Sequence, residues 1–162
     1  MKSFKSYITE TVDLNSTLSF IKTAHEGQKY GNKPYWTHPV AVCETGKKIF
    51  GSSFTKEAQY AAMLHDVVED TPYTIDNLKS MGYSTPVVTA VSLLTKDKSL
   101  SYEDNIKKIL NSGSKIAMMV KYSDNYENFH GDKSSWPADK AAKSQAKYAK
   151  SMEVLGKKLG LQ

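Results

Sequence analysis

The sequence predicts an all-α fold, a single globule of roughly eight helices, and three observations lead to this prediction. Apolar residues recur at helical spacing along most of the chain, and no stretch alternates between apolar and polar residues for more than a few positions. Turn-forming residues divide the pattern into segments of ordinary helix length. A chain of 162 residues without a linker or a repeat fits one domain, residues 1–162, with residues 1–12 as an N-terminal arm.

Capping and helix-breaking residues mark where each helix begins. Thr55, Thr74 and Ser101 can each accept a hydrogen bond from a backbone N–H at the start of a helix. Pro86 and Pro137 suit a first helical turn, where no amide donor is needed. The expected helices begin near residues 14, 37, 55, 74, 86, 101, 116 and 136. The third is expected to run through His65 to about Asp70.

The charge of the chain restricts its partners. All 22 basic residues are lysine, and the formal net charge is +5. Lysine attracts phosphate as a point charge, whereas bidentate binding belongs to the planar guanidinium of arginine. The positive charge therefore suits anionic partners, and no basic block or RNA-binding motif favours a nucleic acid. The single Cys43 and the lack of an apolar run of about 20 residues predict a cytoplasmic protein that does not contact a membrane.

The most informative segment places His65 among the carboxylates of Asp66, Glu69 and Asp70 at the end of an apolar helix. Buried carboxylates are costly and repel each other unless a cation lies between them, so this segment predicts a divalent metal site. Adjacent helical residues point about 100° apart, so both His65 and Asp66 reach a metal only where the helix borders a cleft. Other helices must then supply further ligands.

Two further ligand candidates are His38, at a helix start, and Asp124, after an apolar segment. Two histidines and two aspartates suit Mn²⁺, Fe²⁺ or Zn²⁺ better than Ca²⁺, and leave room for water and substrate. The alternative is that His38 caps a helix or lies in the core and that Asp124 is a solvated carboxylate. With a metal present, Glu69 or Asp70 would position or deprotonate the attacking water in a phosphate hydrolysis.

Five short blocks resemble a known family. They are Ala-His-Glu-Gly-Gln at 24–28, Lys-Pro-Tyr-Trp-Thr-His-Pro at 33–39, Ala-Ala-Met-Leu-His-Asp-Val-Val-Glu-Asp-Thr at 61–71, Val-Ser-Leu-Leu-Thr-Lys at 91–96 and Val-Lys-Tyr-Ser-Asp-Asn-Tyr-Glu-Asn at 120–128. In order and spacing they resemble the HD-type hydrolase domain of RelA/SpoT-type alarmone enzymes, especially the stand-alone small alarmone hydrolases. The resemblance covers about residues 14–155.

This resemblance implies a reaction and a set of roles. The reaction is the hydrolysis of a 3′-pyrophosphate, which converts guanosine tetraphosphate or pentaphosphate to GDP or GTP and pyrophosphate. Glu69 and Asp70 would act on the attacking water, and Asn128 would contact the nucleoside. The implied ligands of Mn²⁺ are His38, His65, Asp66 and Asp124.

Departures from the family pattern fall on the substrate side. The family usually carries arginines that this chain lacks, and Asn125 stands where one of them would follow the metal aspartate. Tyr30 or Tyr35 could instead stack on the base, and Lys29 or Lys33 could bind phosphate. The expected substrate contacts are Lys29, Tyr30, Lys33, Tyr35, Lys121, Asn125 and Asn128.

Several alternatives therefore stay open. The substrate could be the 2′-phosphate of NADPH, an adenine alarmone or a defence-signal nucleotide, or the chain could be a nucleotide-binding sponge without turnover. Residues 1–10 also resemble the opening of many proteins from large tailed phages, which would place the enzyme in a host cytoplasm.

Overall fold

Nine α-helical segments account for most of residues 12–161, the part of the chain that the computed structural model describes. They are α1 (Leu14–Ala24), α2 (Thr37–Phe50), α3 (Lys56–Leu64), α4 (Val67–Asp70), α5 (Ile75–Ser80), α6 (Thr85–Leu94), α7 (Tyr102–Asn111), α8 (Lys115–His130) and α9 (Ala138–Leu159). A short 3₁₀ turn, Gly51–Ser53, follows α2. The all-α prediction is confirmed, while the N-terminal segment compared with phage proteins lies outside the described residues.

Side-chain caps begin three of the helices where the sequence predicts them. Thr55 and Ser101 each accept a hydrogen bond from the backbone N–H three residues further on, at 3.3 and 3.0 Å. Thr74 and Asn77 form a reciprocal capping box at the start of α5. Because a cap uses only residues within one turn, these starts can be predicted without knowledge of the tertiary fold.

The predicted third helix is interrupted at His65 and Asp66, so the expectation of one continuous helix to Asp70 is wrong. In an unbroken helix the carbonyl oxygen of Ala62 would accept the backbone N–H of Asp66. Here that oxygen accepts Nδ1–H of His65 at 2.5 Å. The chain turns between α3 and α4, and this turn allows the two neighbouring side chains to point into the same cleft.

A short β-hairpin lies between α1 and α2. Strands β1 (Lys29–Tyr30) and β2 (Lys33–Pro34) pair antiparallel, with Gly31 and Asn32 between them. Gly31 has φ +60°, a left-handed conformation that suits a two-residue hairpin turn. The hairpin brings Tyr30, and Tyr35 just after it, next to the start of α2.

Helix α8 lies at the centre of the fold and packs against α2, α3, α6 and α9. Its Val120 is fully buried, as are Val42 of α2, Leu64 of α3 and Leu155 of α9. Burying one such side chain contributes about 1.5–3 kcal/mol, so this packing holds α2, α3 and α8 in fixed relative positions.

Among the described residues, every helix is too short or too polar to cross a membrane.

Candidate metal centre and catalytic cleft

Four predicted ligand residues from three separate segments meet at one end of a cleft. His38 is the second residue of α2, His65 and Asp66 form the turn between α3 and α4, and Asp124 lies in α8. Nε2 of His38 is 2.9 Å from Oδ1 of Asp124, and Nε2 of His65 is 3.5 Å from the same oxygen. Nε2 of His65 is also 3.0 Å from Oδ2 of Asp66. His38, His65 and Asp124 are buried and offer ligand atoms within 4.8 Å of one another.

Hydrogen bonding determines which nitrogen of His65 is available to a metal. Its Nδ1 donates to Ala62, so Nε2 of the neutral ring carries a lone pair. That buried nitrogen has no hydrogen-bond partner within the described chain, although carboxylate oxygens of Asp66 and Asp124 lie 3.0 and 3.5 Å away. While the ring is neutral, this lone pair and the two carboxylates repel each other, so the arrangement fits a positive charge among them, such as a divalent cation.

The pKa shifts of His65 and Asp124 also indicate a site that attracts positive charge. Burial alone would lower the pKa of His65, but the carboxylates of Asp66 and Asp124 raise it well above its ordinary value. Burial opposes ionisation of Asp124, yet Lys121 and the two imidazoles hold its pKa well below the usual range. Asp124 is therefore ionised, and the cluster attracts a positive charge, either a proton or a metal ion.

A second carboxylate group continues from Asp66 along α4. Asp66, Glu69 and Asp70 offer oxygens that also lie within 4.8 Å of one another. The Glu69 carboxylate accepts the backbone N–H of Lys96 at 2.7 Å, which fixes it at the cleft edge. Partial burial and the carboxylates of Asp66 and Glu69 raise the pKa of Asp70 to about 6. Asp70 can therefore exchange a proton near neutral pH.

Tyr30 and Asn128 surround the ligand candidates. The Tyr30 ring stacks on His38 with centroids 4.3 Å apart, and its hydroxyl donates to Oδ1 of Asn128 at 2.8 Å. Nδ2 of Asn128 in turn donates to Oδ1 of Asp124 at 3.0 Å. Both side chains thus contact the cluster directly.

Asp66 and the end of α4 are hydrogen-bonded to side chains from the region around the hairpin. The Tyr35 hydroxyl donates to Oδ2 of Asp66 at 2.6 Å, and burial together with the Asp66 carboxylate raises the pKa of Tyr35 far above its ordinary value. The ring of buried His25 binds Oε1 of Gln28 at 2.9 Å, and Nε2 of Gln28 donates to the backbone oxygen of Asp70 at 2.8 Å. These bonds join the hairpin region to α4.

The cleft beside the cluster has a volume of about 260 Å³. Three lysines, Lys96, Lys121 and Lys147, give its wall a positive charge. Lys147 was not predicted from the sequence; its Nζ lies 4.7 Å from the ring centroid of Tyr102 and 4.8 Å from that of Tyr148. Helix α9 carries many lysines at similar spacing, so only the packing of α9 on α8 shows that Lys147 is the one that lies at the cleft.

The seven expected substrate residues do not all reach the cleft. Tyr30, Tyr35, Lys121 and Asn128 line it, whereas the exposed Lys29 and Lys33 do not.

Asn125, which the sequence predicts as a substrate contact, is also absent from the cleft lining. It is fully buried, accepts the Tyr102 hydroxyl at 2.9 Å and donates to Ser151, and thereby joins α8 to α7 and α9. Its position next to Asp124 in a regular helix turns its side chain about 100° away from the ligand candidates.

The chain is similar to known proteins in sequence and in fold. No protein-family profile matches the chain. It is 46% identical over 80 residues to a guanosine-3′,5′-bis(diphosphate) 3′-pyrophosphohydrolase of Haemophilus influenzae, and 38% identical over 96 residues to the bifunctional (p)ppGpp synthase/hydrolase SpoT of Escherichia coli. These matches cover 48% and 55% of this chain but only 11% and 13% of the two relatives.

A relative of similar size covers more of both chains. Guanosine-3′,5′-bis(diphosphate) 3′-pyrophosphohydrolase MESH1 of Danio rerio is 30% identical over 126 residues, which are 74% of this chain and 69% of that protein. A solved structure described as a metazoan ortholog of SpoT that hydrolyses ppGpp has the same fold, with a TM-score of 0.67, 21% identity and 90% coverage of each chain. The chain belongs to the guanosine-3′,5′-bis(diphosphate) 3′-pyrophosphohydrolase family.

Proposed function

We propose that the protein is a metal-dependent phosphohydrolase that removes pyrophosphate from the 3′ position of guanosine tetraphosphate or pentaphosphate. The observation that carries this proposal is the convergence of His38, His65, Asp66 and Asp124 at one end of a lysine-lined cleft. The names of the relatives indicate the substrate, and the residue types of the cluster indicate metal-dependent hydrolysis.

The metal would be held by the imidazoles of His38 and His65 and by the carboxylates of Asp66 and Asp124. This mixed nitrogen and oxygen set suits Mn²⁺, and other divalent transition metals have the same ligand preference. When bound, the ion supplies the positive charge that acidifies water and polarises a phosphoryl oxygen. The unpartnered Nε2 of His65 supports its assignment as a ligand.

Glu69 and Asp70 would act on the attacking water. The water oxygen would bond to the phosphorus attached to the ribose 3′ oxygen as the P–O3′ bond breaks, and the proton lost by the water would pass through the carboxylate to the 3′ oxygen. A carboxylate whose pKa lies near the working pH is suited to accept the proton of the water, and the pKa of Asp70 is about 6. Glu69, anchored by the N–H of Lys96, would orient that water.

The cleft lysines would neutralise the phosphates of the substrate. Lys96 and Lys147 lie on the wall near the metal cluster, while Lys121 is 3.3 Å from Oδ2 of Asp124 and shares its charge with that carboxylate. Lysine binds phosphate without fixed geometry, so the charge of the wall supports an anionic nucleotide more strongly than any one base.

One assay tests both the reaction and the substrate. Purified protein incubated with Mn²⁺ and guanosine tetraphosphate should release pyrophosphate and GDP. NADPH and adenine alarmones, tested in parallel, should be poorer substrates. Faster turnover of one of these would replace the proposed substrate, and binding of nucleotide without any turnover would contradict the proposed enzyme.

Glu69→Gln tests the catalytic assignment. The neutral amide is a weaker hydrogen-bond acceptor for the water that Glu69 would orient, so kcat should fall about 10²-fold while the affinity for Mn²⁺ and nucleotide stays unchanged. Glu44→Gln is the matched control, because Glu44 is an exposed carboxylate of α2 that pairs with Lys47. Equal loss of activity in both variants would contradict the role of Glu69.

A further inference from the structure

The carboxylate of Asp66 is held by a residue from a distant segment. Asp66 precedes the first turn of α4, but its side chain makes no capping hydrogen bond to that helix. Within residues 12–161 the hydroxyl of Tyr35 donates to its Oδ2 at 2.6 Å, and Nε2 of the neighbouring His65 lies 3.0 Å from the same oxygen. The orientation of this carboxylate therefore depends on Tyr35, 31 residues earlier in the chain.

Tyr35 is itself fixed from two sides. Its backbone N–H donates to the carbonyl oxygen of Gln28 at 2.9 Å, and its ring packs against buried His25 with centroids 4.9 Å apart. The Gln28 side chain donates to the backbone oxygen of Asp70. The segment that contains Gln28 and Tyr35 is therefore hydrogen-bonded to Asp70 as well as to Asp66.

The same contacts leave Tyr35 poorly placed for base stacking. The ring contacts His25, and the Tyr30 ring lies near it at an interplanar angle of 75°, with ring centroids 6.2 Å apart. A stacking platform needs an open ring face. The direction of the hydroxyl toward Asp66 instead indicates a contact to the metal cluster.

The tyrosine hydroxyl that donates to Asp66 is neutral, whereas one of the donors to Asp124 is charged. Oδ2 of Asp124 lies 3.3 Å from the ammonium group of Lys121, a positive charge. A neutral phenol can orient a carboxylate without adding a positive charge that would oppose a bound cation. Tyr35 is therefore suited to support a ligand whose full negative charge is available to a metal.

We propose that Tyr35 is a positioning residue, which holds Asp66 in the orientation that binds the divalent cation. The inference rests on the metal site of the proposed function and extends it to a residue outside the ligand set. Loss of a hydrogen bond to a metal-ligating side chain weakens metal affinity about 10- to 100-fold.

Tyr35→Phe tests this inference, because it removes only the hydroxyl. Calorimetric titration with Mn²⁺ alone should give a Kd about 10- to 100-fold higher than that of the wild type. At saturating Mn²⁺ the KM for guanosine tetraphosphate should be unchanged. The matched control is Tyr83→Phe, which removes a buried hydroxyl bonded to Thr17 at 2.8 Å outside the cleft and should leave the Kd for Mn²⁺ unchanged within about twofold.

A double-mutant cycle separates this role from a general loss of packing. In an Asp66→Asn background, Tyr35→Phe should change the Kd for Mn²⁺ by no more than about twofold, since the supported ligand is already altered. Equal Mn²⁺ affinity in wild type and Tyr35→Phe, or a raised KM as the only effect, would overturn the inference and leave the proposed function intact. A wild-type protein that binds no divalent metal would overturn both.

Discussion

Replacing Gly46 by alanine tests how tightly α2 packs on the turn that follows it. An ideal Cβ at position 46 would come within 3.0 Å of three ring atoms of Phe54. Phe54 has little room to move, because it is 2% exposed and its ring stacks on Phe50 with centroids 6.2 Å apart. The substitution therefore forces a shift of α2 or of the turn.

The magnitude follows from two opposing effects. Glycine to alanine in a helix interior normally stabilises by about 1 kcal/mol. Overpacking a well-packed core costs about 1–3 kcal/mol, and an overlap with several rigid ring atoms belongs at the upper end. The free energy of unfolding of Gly46→Ala should therefore fall by about 2 kcal/mol, which corresponds to a Tm lower by about 4–8 °C for a chain of this size.

Gly156→Ala provides a matched control in α9. Its Cβ would meet Tyr122 at 3.4 Å and Leu161 at 3.7 Å, which are ordinary contacts. With no overlap, the helix propensity should dominate and stabilise the protein by about 0.5–1 kcal/mol. Urea unfolding followed by circular dichroism measures both variants. A Gly46→Ala variant as stable as the wild type, or a loss of equal size in both variants, would refute the reasoning from these contacts.

Three further predictions concern the cleft, the thiol and the metal. Lys147→Met should raise the KM for guanosine tetraphosphate about tenfold, because a charged contact to phosphate contributes about 1.5 kcal/mol or more. The Kd for Mn²⁺ should be unchanged. Assays of pyrophosphate release measure the KM, and calorimetry measures the Kd. Burial, with a smaller contribution from Glu44, raises the pKa of Cys43 from 9.0 to about 11. Between these values the unfolded chain has lost the thiol proton while the folded chain keeps it, so the free energy of unfolding should fall as pH rises from 9 to 11. Urea titrations of Cys43→Ala should show a shallower fall, and equal slopes would contradict the burial of the thiol. Removal of divalent metal with a chelator should abolish hydrolysis, and Mn²⁺ at about 100 times its Kd should stabilise the fold by about 2.7 kcal/mol. A Tm that does not respond to Mn²⁺ would contradict the metal site.

The sequence by itself determines the helical class, most helix starts and the residue types of the candidate metal centre. Caps such as Thr55 and Thr74 act within one turn, so their effect can be read from neighbouring residues. The cluster of His65, Asp66 and Asp70 is equally local, because carboxylates so closely spaced at the end of an apolar helix indicate a cation. Sequence reasoning also named His38 and Asp124, which the structure brings next to them.

Only the tertiary structure decides how these groups are oriented. The helix break at His65 depends on a side chain that takes a backbone carbonyl, and periodicity cannot reveal this competition. The burial of Asn125 and the position of Lys147 at the cleft depend on how α9 packs along α8. The bond from Tyr35 to Asp66 spans 31 residues. Such contacts arise from the packing of whole helices, which brings distant residues together by burying apolar surface, and no local pattern encodes the resulting geometry.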